Sequence, residues 1–319
     1  MSGLSQQIIN GLTIGCLYAL IGLGFSLIFG VLRITNFAHG ELFMLGPMFA
    51  LALLKSFNYT QGRLNTLRPD ITDQERVAAV VISFVGGFAI AAVTGVVMER
   101  YAYRPIRVKD SAPEIGMISA MGVSQFLQNA AMLIWGHNQK GFPSLIETDV
   151  YKIGEARITN LQLTIMGTTI VLLLFINYLI NKTYLGRCIR AVATDRCAAG
   201  LMGVNINKII VFVFIIGPGI AGISGVLYGM TYGQVYYQMG SIITNKGWIA
   251  AVLGGIGNIW GAVIGGFLLG LIEVIGAGYL SIWTNGVIGA DYRNIFAYVV
   301  LVIFLIFKPE GIFGKKEGA

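Results

Sequence analysis

The chain has 319 residues and a net charge of +7, and 55% of its positions are hydrophobic while only 12% are charged, against roughly 25% in an ordinary soluble protein. So few polar side chains cannot clothe a water-exposed surface, and the 43 glycines, about double the usual share, suit membrane helices whose backbones approach closely. The positive residues sit in short loops between long apolar runs, which excludes a nucleic-acid binder, and Cys16, Cys188 and Cys197 have neither metal-ligand spacing nor the even number of a disulfide framework.

A membrane-spanning helix needs about 20 apolar residues. Long apolar runs at residues 8–30, 77–98, 115–135, 161–180, 209–230, 262–280 and 295–307 meet or approach that length, and two short ones lie at 42–54 and 248–259. A short apolar segment beside glycines or polar groups signals a re-entrant or broken helix, allowed only where protein or a watery cavity surrounds its free backbone groups. The expected fold is therefore an all-α polytopic membrane bundle of about eight to ten spans, some short or broken. The start, MSGLSQQIIN, has no positive region ahead of its apolar run, so that run is expected to stay in the mature protein. No linker or shift of composition divides the sequence, which predicts one domain over residues 1–319.

In chain order, the first polar cluster is Arg33, Asn36, His39 and Glu41, between the first two apolar runs. It reads either as a solvated loop or as a helix break whose side chains line a route or hold two helices together, since ionisable groups at membrane depth are costly. His39 and Glu41 alone are a weak metal signal, and no metal site is expected. Gln125, Gln128 and Asn129 form a polar stripe one helical turn long, suited either to bonding across helices or to touching a substrate. Glu273 stands in an apolar run with no neighbouring charge in sequence, so it must face a partner, a cavity or the membrane edge. Gly257, Gly261 and Gly265 recur at fours and predict a small-residue ridge for helix packing. The run from Gly255 to Gly261 has the wrong spacing for a dinucleotide-binding loop and lacks a strand before it.

Lysines and arginines fix the expected orientation. Arg33, the group Arg100, Arg104, Arg107 and Lys109, the group Lys182, Arg187, Arg190, Arg196 and Lys208, and the group Lys308, Lys315 and Lys316 agree in parity, which places them and the C-terminus in the cytoplasm and the N-terminus outside. Loops 55–76 and 136–160 then face outward as docking surfaces. Within the 182–208 loop, Asp195, Arg196, Cys197, Ala198, Ala199, Leu201, Met202 and Gly203 predict a short surface helix that offers apolar Leu201 and Met202, with Arg187, Arg190 and Arg196 supplying charge. The bland alternative is a basic loop against lipid headgroups.

Four stretches resemble the LivH-type permeases of branched-chain amino-acid ABC importers and together span nearly the whole chain: residues 36–42 (NFAHGEL), residues 185–190 (LGRCIR) leading to Asp195 and residues 198–204 (AAGLMGV), residues 250–258 (AVLGGIGN being 251–258) with 261–265 (GAVIG), and residues 307–314 (FKPEGIFG). The resemblance implies a permease subunit of the bacterial cytoplasmic membrane that is not itself an enzyme. It implies a second permease as partner, alike or different, two ATPase subunits that hold ATP and magnesium, and an extracytoplasmic substrate-binding protein. No cofactor is expected in this chain, which has no GxxxxGK[ST] loop. The Asp195 to Gly203 segment looks like the coupling helix seated on an ATPase, with Cys197 where such permeases commonly carry Glu. Urea and short-amide permeases share the scaffold, and an ion-coupled transporter would need intramembrane carboxylates, for which Glu41 and Glu273 are the candidates.

Overall fold

The computed structural model describes residues 3–62, 65–109, 112–147, 149–154, 156–283, 293–308 and 310–314. In chain order the helices are α1 (Leu4–Leu32), α2 (His39–Ser56), α3 (Asp73–Met98), α4 (Arg104–Val108), α5 (Pro113–Trp135), α6 (Asn160–Lys182), α7 (Tyr184–Thr194), α8 (Arg196–Leu201), α9 (Ile206–Tyr232), α10 (Met239–Gly254), α11 (Ile259–Trp283) and α12 (Arg293–Phe307). Strands are confined to short antiparallel pairs: β1 (Thr60–Gln61) with β2 (Thr66–Leu67), β3 (Lys140–Gly141) with β6 (Gln234–Val235), and β4 (Val150–Ile153) with β5 (Ala156–Thr159). Among the described residues, six helical stretches are long and apolar enough to cross a membrane, and α2, α10 and α12 are of intermediate length, at 18, 16 and 15 residues. The chain is an all-α polytopic membrane protein.

The local sequence explains where these helices start, stop and bend. Thr72 and Glu75 form a reciprocal capping box at α3, and Thr183, Asp195 and Asn205 cap α7, α8 and α9 through their side-chain oxygens. α3 and α4 are joined by a π-helical turn, Glu99–Tyr103, into one rod of 36 residues, Asp73–Val108. Pro105 follows that turn and has no N–H to give to the turn before it. α1 ends at Arg33, whose φ of 56° is left-handed backbone rarely taken by a non-glycine residue.

The second short apolar segment differs from its expected bounds. The helix occupies 239–254 rather than 248–259, because Gly255 and Gly257 take φ of +101° and +85° and break it before α11. Gly257 therefore lies in a turn and takes no part in the helix-packing ridge read from its spacing. Lys315 and Lys316 of the last basic group lie outside the described residues.

Backbone packing groups the chain into two compact units, each assembled from non-consecutive stretches, so no single cut in the sequence separates them. The larger comprises residues 27–146 and 171–244. At its centre α2, α3 and α9 cross with their backbones almost touching: a Cβ on Gly46 would strike the Gly222 carbonyl, one on Gly222 the Gly87 carbonyl, and one on Gly225 the Phe43 carbonyl. Tyr228 packs edge-on against Phe43, and Tyr103 packs at a tilt against Phe214, at 5.4 Å between ring centroids in each pair.

The smaller unit comprises residues 1–26, 147–170 and 245–319. Here α1 lies against α11 through the same device, since a Cβ on Gly266 would strike Ala19 and one on Gly270 would strike Gly15. On α11 a Cβ at Gly261 would strike the Gly254 carbonyl and one at Gly265 the Ala250 carbonyl. A buried ion pair ties the same three helices together. Lys246 of α10 donates to Glu273 of α11 at 2.5 Å and to the Tyr18 hydroxyl of α1 at 2.8 Å, and the Glu273 side chain is wholly buried.

Two outcomes test this packing. Gly46→Val should lower the melting midpoint of the purified protein in detergent, by a cost of about 1–3 kcal/mol for overpacking, whereas Gly122→Val on α5, where nothing lies within 4 Å, should leave it unchanged. Lys246→Met leaves the Glu273 carboxylate buried without its cation and should cost about 3–5 kcal/mol, while the double change Lys246→Met with Glu273→Leu should recover most of it. Equal midpoints for the single and double variants would remove the ion pair from the account.

Candidate functional site

The break between α1 and α2, residues 33–38, delivers a buried polar cluster to the larger unit. Asn36 is 2% exposed and its Oδ1 accepts two bonds, from the Tyr103 hydroxyl at 2.6 Å and from the Ala38 N–H at 3.1 Å. Tyr103 reaches Asn36 from the π-helical turn, which carries its ring to the inward side of the rod. His39 and Glu41, in the first turn of α2, are fully buried, and Glu41 Oε1 accepts a hydrogen bond from the Ser124 hydroxyl of α5 at 3.1 Å. Opposite them stands the first turn of α10, where Gly240 has Glu41 and Gly40 as neighbours and its carbonyl accepts from Thr244 at 2.8 Å.

The other sequence-derived candidates fall elsewhere. Gln125 and Asn129 are exposed on α5, and Asn129 bonds the Gln125 carbonyl of its own helix at 2.7 Å; the α5 side chain that reaches Glu41 is the neighbouring Ser124. Glu273 belongs to the Lys246 pair of the smaller unit. Its partner lies 27 residues earlier in sequence, and the signal that would have found it is Lys246 itself, a lysine just ahead of an apolar run, where an unpaired charge is costly. Among the described residues no group of three or more His, Cys, Asp or Glu side chains could hold a metal.

The 182–208 segment folds into α7 and α8, a capped pair at one end of the larger unit. Asp195 caps α8 by accepting from the Ala198 N–H at 3.0 Å. Ala199 is buried against the unit, Ala198 and Gly203 are exposed, and Gly203 ends the turn with φ of +83°. Leu201 and Met202 stand 85% and 84% exposed, two adjacent large apolar side chains on a capped turn. Arginines tie this segment to the end of α1: Arg196 donates to the Val31 carbonyl at 2.7 Å, and Arg33 donates to the Ala193 carbonyl at 3.2 Å. Arg190 bonds the Ile180 carbonyl, while Arg187 is exposed and lies over the Tyr184 ring. Glu99 and Asn207, which sequence reasoning did not single out, form a separate contact, since Arg107 pairs with buried Glu99 at 3.0 Å and with Asn207 of α9 at 2.7 Å.

At the opposite end of the larger unit the loops interlock. β3 pairs with β6, the Phe142 N–H donates to the Gly233 carbonyl at 2.9 Å, and Asn65 of the 55–76 loop donates to the Gly141 carbonyl at 2.9 Å. Burial and the neighbouring Lys55 hold the Lys140 ammonium below the usual lysine range.

The sequence is similar to those of known proteins. Residues 7–305 match the family described as "Branched-chain amino acid transport system / permease component". The chain is 35% identical over 317 residues to the high-affinity branched-chain amino acid transport system permease protein BraD of Pseudomonas aeruginosa, covering 98% of this chain and 96% of that protein. It is 36% identical over 320 residues to the corresponding LivH protein of Escherichia coli K12, with the same coverage, and 25% identical over 311 residues to a probable branched-chain amino acid transport permease protein of Methanocaldococcus jannaschii. With its family match running through almost every helix, including the broken pair and the α7–α8 segment, the chain belongs to the branched-chain amino-acid transport permease family.

Proposed function

We propose that this chain is the permease subunit of an ATP-driven importer that carries branched-chain amino acids across the bacterial cytoplasmic membrane by alternating access. The observation that carries the reading is the match to permeases of that transport class over 98% of the chain. The exposed apolar tip of α8 supports it. Two ATPase subunits hold ATP and magnesium, and this chain does no covalent chemistry. Leu201 and Met202 fill a groove on one ATPase, Arg187 and Arg190 meet its acidic rim, and Ala198, Ala199 and Gly203 keep the turn slim enough to seat. Movement of α8 then passes through Arg196 and Arg33 to the end of α1, and so to the break that carries Asn36, His39 and Glu41.

The interlocked 59–68, 140–142 and 233–235 loops form the outer surface on which a loaded extracytoplasmic binding protein docks, with the C-terminus and α7–α8 in the cytoplasm and the N-terminus outside. A second permease, a copy or a relative, covers α5, whose exposed Ile118, Phe126 and Leu133 flank Gln125 and Asn129 on the route between the two. ATP drives transport because it binds the two conformations unequally.

The test is ATP hydrolysis by the chain co-purified with its ATPases and reconstituted with the binding protein in liposomes. Leucine, isoleucine and valine should stimulate hydrolysis, and urea should not. Leu201→Asp should lower the stimulated rate about tenfold or more, as expected when an apolar anchor of an interface is lost, while the chain still inserts in the membrane. Failure to co-purify with any ATPase, together with uptake driven by an ion gradient alone, would overturn the importer reading.

A further inference from the structure

Two broken helices meet head to head inside the larger unit. α2 begins at His39 after the break at 33–38, and α10 begins at Met239 after the break at 233–238. Their first turns touch through glycines: a Cβ on Gly40 would strike the Gly240 carbonyl and the Thr244 hydroxyl, and a Cβ on Gly240 would lie 2.6 Å from the Gly40 carbonyl. The first turn of a helix carries the positive end of its dipole, and although the His39, Glu41 and Met239 N–H groups already donate to the Asn36, Ala38 and Tyr236 carbonyls, the crossing gathers two such ends. A Cβ on Gly240 would also lie 2.5 Å from Glu41 Oε2, which places that oxygen at the start of α10.

Glu41 is fully buried, Ser124 holds its Oε1, and its Oε2 has no hydrogen-bond partner. Asn36 is in the complementary position. The Ala38 N–H bonded to it identifies which end of the amide is oxygen, and Nδ2 then has no partner either. A buried polar group left unpaired costs about 1–3 kcal/mol. Here the stretch from Asn36 to Glu41 carries both an orphan carboxyl oxygen and an orphan amide donor.

We propose that Glu41 and Asn36 are the two poles of a site in the transport path that takes the α-amino acid as a zwitterion, Glu41 Oε2 receiving its ammonium and Asn36 Nδ2 donating to its carboxylate. This rests on the amino-acid permease reading and deepens it. An ammonium supplies the counter-charge that the carboxylate lacks, and the N-termini of α2 and α10 favour the carboxylate. A bare metal cation matches only the first half of this environment. The tight glycine contact is the closed state of the site, which opens when the first turns of α2 and α10 part.

The experiment measures equilibrium binding of labelled leucine to the permease–ATPase complex without the binding protein, with 4-methylpentanoate, which lacks the ammonium, and leucinamide, which lacks the carboxylate charge, as competitors. The intact complex should bind leucine and prefer it to 4-methylpentanoate about tenfold or more, because a site built to bond a polar group rejects an analogue without it. Glu41→Gln, which still accepts from Ser124, should lose leucine affinity about tenfold and no longer distinguish leucine from 4-methylpentanoate. Asn36→Asp, which keeps an acceptor for Tyr103 and Ala38, should shift preference toward leucinamide. Co-elution with the ATPases and the melting midpoint establish that each variant is folded. The proposal is overturned if the intact complex binds no leucine, if Glu41→Gln weakens leucine and 4-methylpentanoate alike, or if Glu41 supports binding of labelled sodium but not of leucine. Leucine-stimulated hydrolysis by the intact assembly with its binding protein is read separately, so the importer reading stands even where this site fails.

Discussion

The backbone approach of α2, α3 and α9 at Gly46, Gly87 and Gly222 is the contact on which the larger unit depends. Lipid tails are as apolar as leucine side chains, so membrane helices gain little by merely hiding hydrophobic surface from them. Their association rests on close packing, and closeness is available only where no side chain intervenes. The glycines therefore do in this bundle what a hydrophobic core does in water. They bring three helices near enough for dispersion to accumulate along their lengths, and they hold α2 where its first turn reaches α10.

A frame built this way has little tolerance for unpaired charge, and its few buried charges are handled in three distinct manners. Glu273 meets Lys246 and Tyr18 beside it, an arrangement that holds helices together. Glu99 meets Arg107, which also grips Asn207, linking the rod of α3 and α4 to the start of α9. Glu41 has only the Ser124 hydroxyl on one oxygen. The first two carboxylates have a cation within 3.0 Å, and the third has a hydroxyl alone, at the point where two helices begin. The contrast marks the α2–α10 crossing apart from the structural pairs.

Much of this was legible in the sequence because the signals were local. Apolar run length located the spanning helices, and the polar interval at residues 33–41 marked a break. Asp195 ahead of small residues announced a capped surface turn. What stayed hidden depended on distant or conformational partners. The Lys246 partner of Glu273 is 27 residues away in sequence, and although a lysine ahead of an apolar run marks a costly charge, no local spacing couples the two. The ridge at Gly257, Gly261 and Gly265 was misread at its first member, because regular spacing does not reveal that Gly255 and Gly257 adopt positive φ and end a helix. On α5 the polar residues drew attention to Gln125 and Asn129, whereas the helix turns the less conspicuous Ser124 toward Glu41. The π-helical turn, which swings Tyr103 onto Asn36, has no sequence mark beyond Pro105.

The interleaving of the smaller unit bears on how the chain is made. α1 leaves the ribosome before the other described helices, yet within that unit its Gly15, Tyr18 and Ala19 are met by residues of α10 and α11, which follow more than 200 residues later. Until those arrive, the glycine-lined face of α1 has only lipid or insertion machinery against it, and Tyr18 has no ammonium to accept from. Insertion and assembly are therefore separate events, the helix entering the bilayer early and finding its seat only after α10 and α11 have been translated. A chain truncated before α11 would still thread the membrane but would lack the surface that receives its own beginning.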